Sequence, residues 1–155
     1  MNPYNQYQQN EILTASPEQI LLMLYDGAIR FTHQAISGLE NEDLPQVHRG
    51  IKNSMAIIHE FSNSLDHAIG GKIADDLAAL YDYMVRTLIE ANLHKDKEKL
   101  KIVEKILVEL RGAWGEAIAS NNTDRAMAKG LAAIPKIPEK GGLPPANYAG
   151  ISILG

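Results

Sequence analysis

The sequence predicts an all-α protein: an antiparallel up-down four-helix bundle with an N-terminal arm and a Pro/Gly-rich C-terminal tail. Three observations carry this reading. Apolar residues recur at intervals of three and four along four stretches of about 20 residues each. The links between those stretches are short, which makes consecutive helices antiparallel neighbours. No stretch shows the period-two alternation of a half-buried strand. The expected organisation is an arm over residues 1–15, a bundle over 16–119 and a tail over 120–155.

The first helix has the clearest start. Ser16 suits the N-cap, Pro17 the first helical position, and Gln19 completes a capping box with Ser16. Ala15 and Ile20 stand at the positions of a hydrophobic staple. The helix is expected from Pro17 to Leu39, ended by the polar "ENED". A second helix begins near Asp43, with Leu44, Val47, Ile51, Ser54, Ile58, Phe61 and Leu65 spaced 3-4-3-4-3-4 and only Ser54 breaking the apolar series. Gly70 and Gly71 mark a turn, because glycine readily takes the left-handed conformation that ends helices. A third helix, Lys72 to Leu93, carries Ile73, Leu77, Leu80, Met84, Leu88 and Ala91. Asp96 caps a fourth, in which Leu100, Val103, Leu107, Leu110, Trp114 and Ile118 lie at 3-4-3-4-4 before its end near Ala119. A period close to 3.5 suits left-handed bundle packing.

Beyond Ser120 the character changes. "NNTDRAMAKGLAAI" reads as a short helix capped by Thr123 or Asp124. The following "PKIPEKGGLPPANYAGISILG" holds four of the seven prolines and four of the twelve glycines, too many for a regular helix. It reads as an extended or disordered tail.

Composition excludes several classes of function. At 155 residues the chain is one domain, 45% hydrophobic and 22% charged, which is ordinary for a globular protein. The net charge of −4 supplies no overall field for nucleic acid or anionic lipid. With no cysteine there are no disulfides, thiolate metal sites or cysteine nucleophiles. The opening "MNPYNQYQQNE" lacks the basic and apolar regions of a signal peptide, and no apolar run reaches the length of a membrane span. Cytoplasmic residence and no membrane insertion are expected.

No constellation supports an enzyme or a cofactor site. His33, His48, His59, His67 and His94 fall in different segments or at helix ends, and there is no Glu-x-x-His pair. They read as solvated polar positions rather than metal ligands. Asp75 and Asp76 suit the positive end of the third helix better than paired acid–base work. A phosphate-binding glycine loop and a serine-nucleophile signature are both missing. In "HKDKEKLKIVEK" the lysines are interrupted by Asp96, Glu98 and Glu104 and have no aromatic partners, so the segment reads as a solvated face, with docking of an acidic partner as the alternative.

What remains is a surplus of apolar side chains. In the first helix Leu21, Leu24, Ala28, Phe31, Ala35 and Leu39 supply a core stripe, and Ile20, Met23, Tyr25, Ile29 and Ile36 come on top of it. The second helix adds Met55 and Ile57, the third Tyr81, Tyr83 and Val85, the fourth Ile102 and Ile106. Part of the excess widens the core; together these residues also permit an exposed groove for an apolar segment of another chain. The arm carries Tyr4, Tyr7 and Ile12. It reads either as a frayed terminus or as an amphipathic flap over that groove.

"TASPEQILLMLYDGAIRF" at 14–31, "SLDHAIGGKIADDLAALYDYM" at 64–84, "RTLIEANLHKD" at 86–96 and "ELRGAWGEA" at 109–117, in this order, resemble the FliS family of flagellar secretion chaperones. The likeness spans about Asn2 to Ile118. It implies a cytoplasmic helical bundle without enzymatic activity, cofactor or nucleotide. Such a bundle binds the C-terminal segment of flagellin, prevents its premature polymerisation, keeps it competent for flagellar type III export and presents it to the cytoplasmic domain of the export gate. Tyr7 and Ile12 are similar to the family's apolar anchors in the arm. With them, Met55, Ile57, Leu65, Tyr81, Val85, Ile102 and Ile106 are the expected flagellin-binding residues, in a monomer or weak dimer. The tail from Ser120 departs from the family pattern, and two readings of it stay open: disorder, or self-occupancy of the client groove through Ile151, Ile153 and Leu154. The reading from another class is a structural bundle that homo-oligomerises through the same apolar surplus and has no client.

Overall fold

The computed structural model of the chain describes residues 15–120, which form four helices: α1 (Pro17–Glu40), α2 (Leu44–Asn63), α3 (His67–His94) and α4 (Lys97–Ala119). Each helix packs on its neighbour in sequence, and α4 closes the ring against α1. The result is the expected up-down bundle. No strand occurs among the described residues. The arm before Ala15 and the tail after Ser120 lie outside them, as do Tyr7 and Ile12.

Every helix starts where an oxygen-bearing side chain can accept from a free backbone N–H. At α1 the capping box forms in full: Gln19 N donates to Ser16 Oγ at 3.2 Å and Ser16 N to Gln19 Oε1 at 2.9 Å. Asp43 accepts from Gln46 N, and Asp96 from Glu98 N and Lys99 N. The start of α3 differs from the expectation. Asp66 caps it, accepting from Ile69 N at 3.1 Å, so the chain reverses at Ser64–Asp66, ahead of the glycine pair. Gly71 instead sits inside α3 as a kink, with φ 53° and ψ −130°, a conformation only glycine adopts readily. The side chain that ends the reversal is the capping aspartate, and the glycine bends the helix that follows.

The α1–α2 seam is the tightest in the bundle. A Cβ on Gly50 would meet Phe31 O at 2.6 Å and Ala35 N at 2.8 Å; one on Gly38 would lie 2.9 Å from the backbone N of Val47. Small residues there let the two backbones approach directly. Ser54, the polar break in the α2 series, is buried against α1, where its hydroxyl and that of Thr32 lie 2.8 Å apart. Thr32 Oγ1 also reaches Ala28 O, so the buried pair is satisfied and its register is set. The apolar excess of α1 is taken up here and on the α4 side: Ile20, Tyr25 and Ile36 are all buried.

At one level of the core the four helices meet in an aromatic layer. Tyr25 of α1 stacks on Phe61 of α2 with centroids 4.3 Å apart, and Phe61 packs on Tyr81 of α3 at 5.6 Å. The hydroxyls of Tyr25 and Tyr81 share a hydrogen bond of 3.0 Å, with the Trp114 indole of α4 near Tyr25. Burial pushes the Tyr25 phenol up to about 12, the bond to Tyr81 and the nearby Trp114 opposing it. Burial raises Tyr81 as well, with the neighbouring Tyr25 adding to the effect.

Three outcomes test this packing. Gly50→Ala is expected to destabilise the protein by about 1–3 kcal/mol in urea unfolding, because its neighbours are backbone atoms. Gly112→Ala, with open space around its Cβ, is expected to stabilise by about 0.5–1 kcal/mol. The tyrosine pair sets an alkaline limit. Unfolded phenols ionise near 10 while Tyr25 holds its proton to about 12, so the unfolded chain binds fewer protons and stability falls as pH rises above 10. Each tyrosine contributes a slope of about 1.4 kcal/mol per pH unit in that window. Urea midpoints measured from about pH 9 to 12 are expected to decline more gently in Tyr25→Phe and Tyr81→Phe than in the parent.

Candidate partner-binding surface

The rotation of α3 decides which of its apolar residues are available. Turning Tyr81, Met84, Leu88 and Ala91 into the core leaves Tyr83, Ile89 and Leu93 outside, Leu93 at 72% exposure. On one flank Glu90 Oε2 accepts from Lys99 Nζ of α4 at 2.9 Å, which identifies the side where α3 and α4 face each other. The bond to Lys99 holds the Glu90 carboxyl below its usual range and the same contact raises Lys99. Stepping along α4 from Lys99 by three, four and four gives Ile102, Ile106 and Leu110; stepping back along α3 from Glu90 by three, four and three gives Thr87, Tyr83 and Leu80. These rows line the α3–α4 seam. Ile102 and Tyr83 are each 43% exposed, and Ile106 and Leu110 are half-buried against the core. The Glu90–Lys99 pair closes the seam at the end nearest the α3–α4 link. Its other end opens towards Ser120.

The opposite flank of α3 carries a second row, Val85, Ile89 and Leu93, at intervals of four. It looks towards α2, whose α1 side is marked by Gly50 and by Gln46 donating to Gln34 O at 3.0 Å. Met55 and the exposed Leu44 lie on the other side of α2, the side nearer this row. The seams of α1 expose less apolar surface, with Val108 of α4, between Glu104 and Arg111, at 51% exposure. Its contact with α2 is closed by glycine and alanine, and its contact with α4 is bridged by His33–Glu104 and Asp26–Arg111, both at 3.0 Å. Exposed apolar surface therefore concentrates on the two flanks of α3, framed by charged pairs such as Arg86–Asp82 and Lys72–Asp76.

The expected binding residues separate into groups. Ile57 and Tyr81 are corrected: they are 0% and 1% exposed, members of the core and closed to a partner in this state. Ile57 is drawn inward because α2 buries a wide arc between α1 and α3; Tyr81 is held inward by its hydroxyl bond to Tyr25. Met55, Leu65, Val85 and Ile106 are half-buried on the core's outer edge, and Ile102 is exposed. The structure brings Ile102 and Ile106 together with Tyr83, and sets Val85 with Ile89 and Leu93. Ile89 and Leu93 escaped the sequence reading, although their intervals of four from Val85 give a row one position off the core stripe Met84–Leu88.

Among the described residues no group of three or more His, Asp or Glu side chains is placed to hold a metal ion. His48, His59 and His94 are exposed, and His33 and His67 pair with Glu104 and Asp75. Asp76 pairs with Lys72. No helix among the described residues is long and apolar enough to cross a membrane.

Fold and surface thus define an antiparallel four-helix bundle with exposed apolar rows on α3 and α4. The family model of "Flagellar protein FliS" matches residues 1–121, and the chain belongs to the FliS family. It is 37% identical to the flagellar secretion chaperone FliS of Bacillus subtilis over 131 residues, 84% of this chain and 97% of the relative. Identity to the protein of that name from Campylobacter jejuni is 35% over 120 residues, 77% of this chain and 93% of the relative. For Salmonella typhimurium the figures are 36% over 107 residues, 68% and 79%.

Proposed function

We propose that this chain is a cytoplasmic secretion chaperone of the flagellum that holds the C-terminal segment of flagellin along the two flanks of α3. It acts by binding alone. The observation that carries the reading is the concentration of exposed apolar side chains on α3 and α4, in a member of a family whose relatives are named flagellar secretion chaperones. A disordered client segment gains about 25 cal/mol for each Å2 of apolar surface it buries there, offset by a few kcal/mol for its ordering. The difference makes a long interface protective and still reversible. Covered in this way, flagellin stays unpolymerised and competent for type III export, and the loaded chaperone is presented to the cytoplasmic domain of the export gate. The free protein is a monomer or weak dimer. Tyr83, Ile102 and Ile106 in one seam, with Val85 and Met55 in the other, make the contacts; Tyr7 and Ile12 of the arm cover Val85 and Met55 until the client arrives.

Calorimetric titration of the full chain with a flagellin C-terminal peptide tests this. A 1:1 complex is expected, weakened at least about tenfold by Tyr83→Ala combined with Ile102→Asp, since losing two interface anchors costs more than about 1.4 kcal/mol. Both positions are 43% exposed, so the melting temperature is expected to hold. Absence of heat, together with a homo-oligomer whose mass ignores the peptide, would instead support a purely structural bundle.

A further inference from the structure

Residues 122–155 lie beyond the family match, yet they are not uniformly polar: the segment ends "NYAGISILG", with Tyr148, Ile151, Ile153 and Leu154 close together. We infer that this end of the chain docks in cis along the α3–α4 seam, against Tyr83, Ile102 and Ile106, and competes there with an incoming apolar segment. The competition rests on the function proposed above; the docking does not.

Three observations select this occupant. The first is origin. The tail leaves at Ser120, directly after α4, and so from the open end of the seam that α4 itself lines. The second is reach. α4 has 23 residues and is about 34 Å long. Ser120 and Ile151 are about 30 residues apart, and a random coil of that length would have a root-mean-square span of about 30 Å. The apolar end is therefore matched to the length of the seam, where tethering gives an effective concentration of order mM. Even a weak contact is then populated. The third is charge. The tail carries Arg125, Lys129, Lys136 and Lys140 against Asp124 and Glu139, a net +2 in a chain of −4, which leaves −6 on the rest. The end of the seam from which it departs carries Asp76, Glu109 and Glu116 against Lys72, which pairs with Asp76. The row on the other flank of α3 has the same apolar character but lies across the helix from the point of departure.

The chain has no cysteine, so Ser152→Cys in the full-length protein takes a single spin label. Paramagnetic broadening is expected at Tyr83, Ile102, Ile106 and Leu110, and is expected to vanish when Ile151, Ile153 and Leu154 are all changed to Asp. Broadening that is absent from the seam, that falls on the α1–α4 face, or that appears only between labelled and unlabelled copies overturns docking in cis. In parallel, the triple-Asp chain without the label is expected to bind a flagellin C-terminal peptide about fivefold or more tightly than the parent, the reciprocal of the fraction of parent molecules with a free seam. Equal affinities overturn the competition. A peptide that binds while the label never nears the seam defeats the tail and leaves the chaperone reading intact. A label in the seam of a protein that binds no peptide, with or without the triple change, defeats the chaperone reading and leaves the docking standing.

Discussion

The hydroxyl contact between Tyr25 and Tyr81 is the constraint on which the presentation of this surface depends. A four-helix bundle is indifferent to small rotations of its members so long as each offers a stripe of apolar residues. Tyr81 removes that freedom. Its phenol must reach a partner or remain a buried unsatisfied group, which costs about 1–3 kcal/mol. Tyr25 supplies the partner while stacked on Phe61 and set near Trp114, so all four helices converge on one layer. Once Tyr81 points inward, Val85, Ile89 and Leu93 are turned to one flank of α3 and Leu80 and Tyr83 to the other.

The second constraint is asymmetry among the seams. Between α1 and α2, glycine at 38 and 50 brings backbone against backbone and leaves no room for a further chain. The α1–α4 contact is bridged by two ion pairs on its outer edge. Both flanks of α3 carry Leu, Ile, Val and Tyr, whose bulk holds the helices apart and whose outer surfaces stay in contact with water. The close-packed pair α1–α2 thus stands against a pair α3–α4 with more exposed apolar surface. Exposure of this kind carries a cost in aggregation, which a family devoted to holding another chain is positioned to accept.

Much of the fold was legible from periodicity and capping chemistry. The Ser16-Pro17-Gln19 start, the aspartate caps at 43 and 96 and the core stripes of α2, except the exposed Leu44, and of α4 follow from local rules and are found as expected. The glycine pair misled because a turn and a kink use the same conformational freedom; only the competing cap at Asp66 shows which is made. The surface was harder to read, since an apolar residue one step off a stripe is either core or surface depending on helix rotation. Ile57 and Tyr81 went inward, whereas Ile89 and Leu93, outside the sequence reading, went outward. That rotation is set by contacts between residues as distant in sequence as Tyr25 and Tyr81, which periodicity within one helix does not record. Ser54 is the instructive opposite: a polar break that looked like a flaw is satisfied by Thr32 across the tightest seam.

On the proposed function, the two flanks of α3 receive the client while the α1–α2 pair stays closed. Isoleucine-methyl spectra of the full chain titrated with a flagellin C-terminal peptide address it most directly. Shifts at Ile89, Ile102 and Ile106, with Ile36 and Ile51 unmoved, are the predicted result. Shifts confined to Ile36, Ile51 and their neighbours, with α3 and α4 silent, would contradict it.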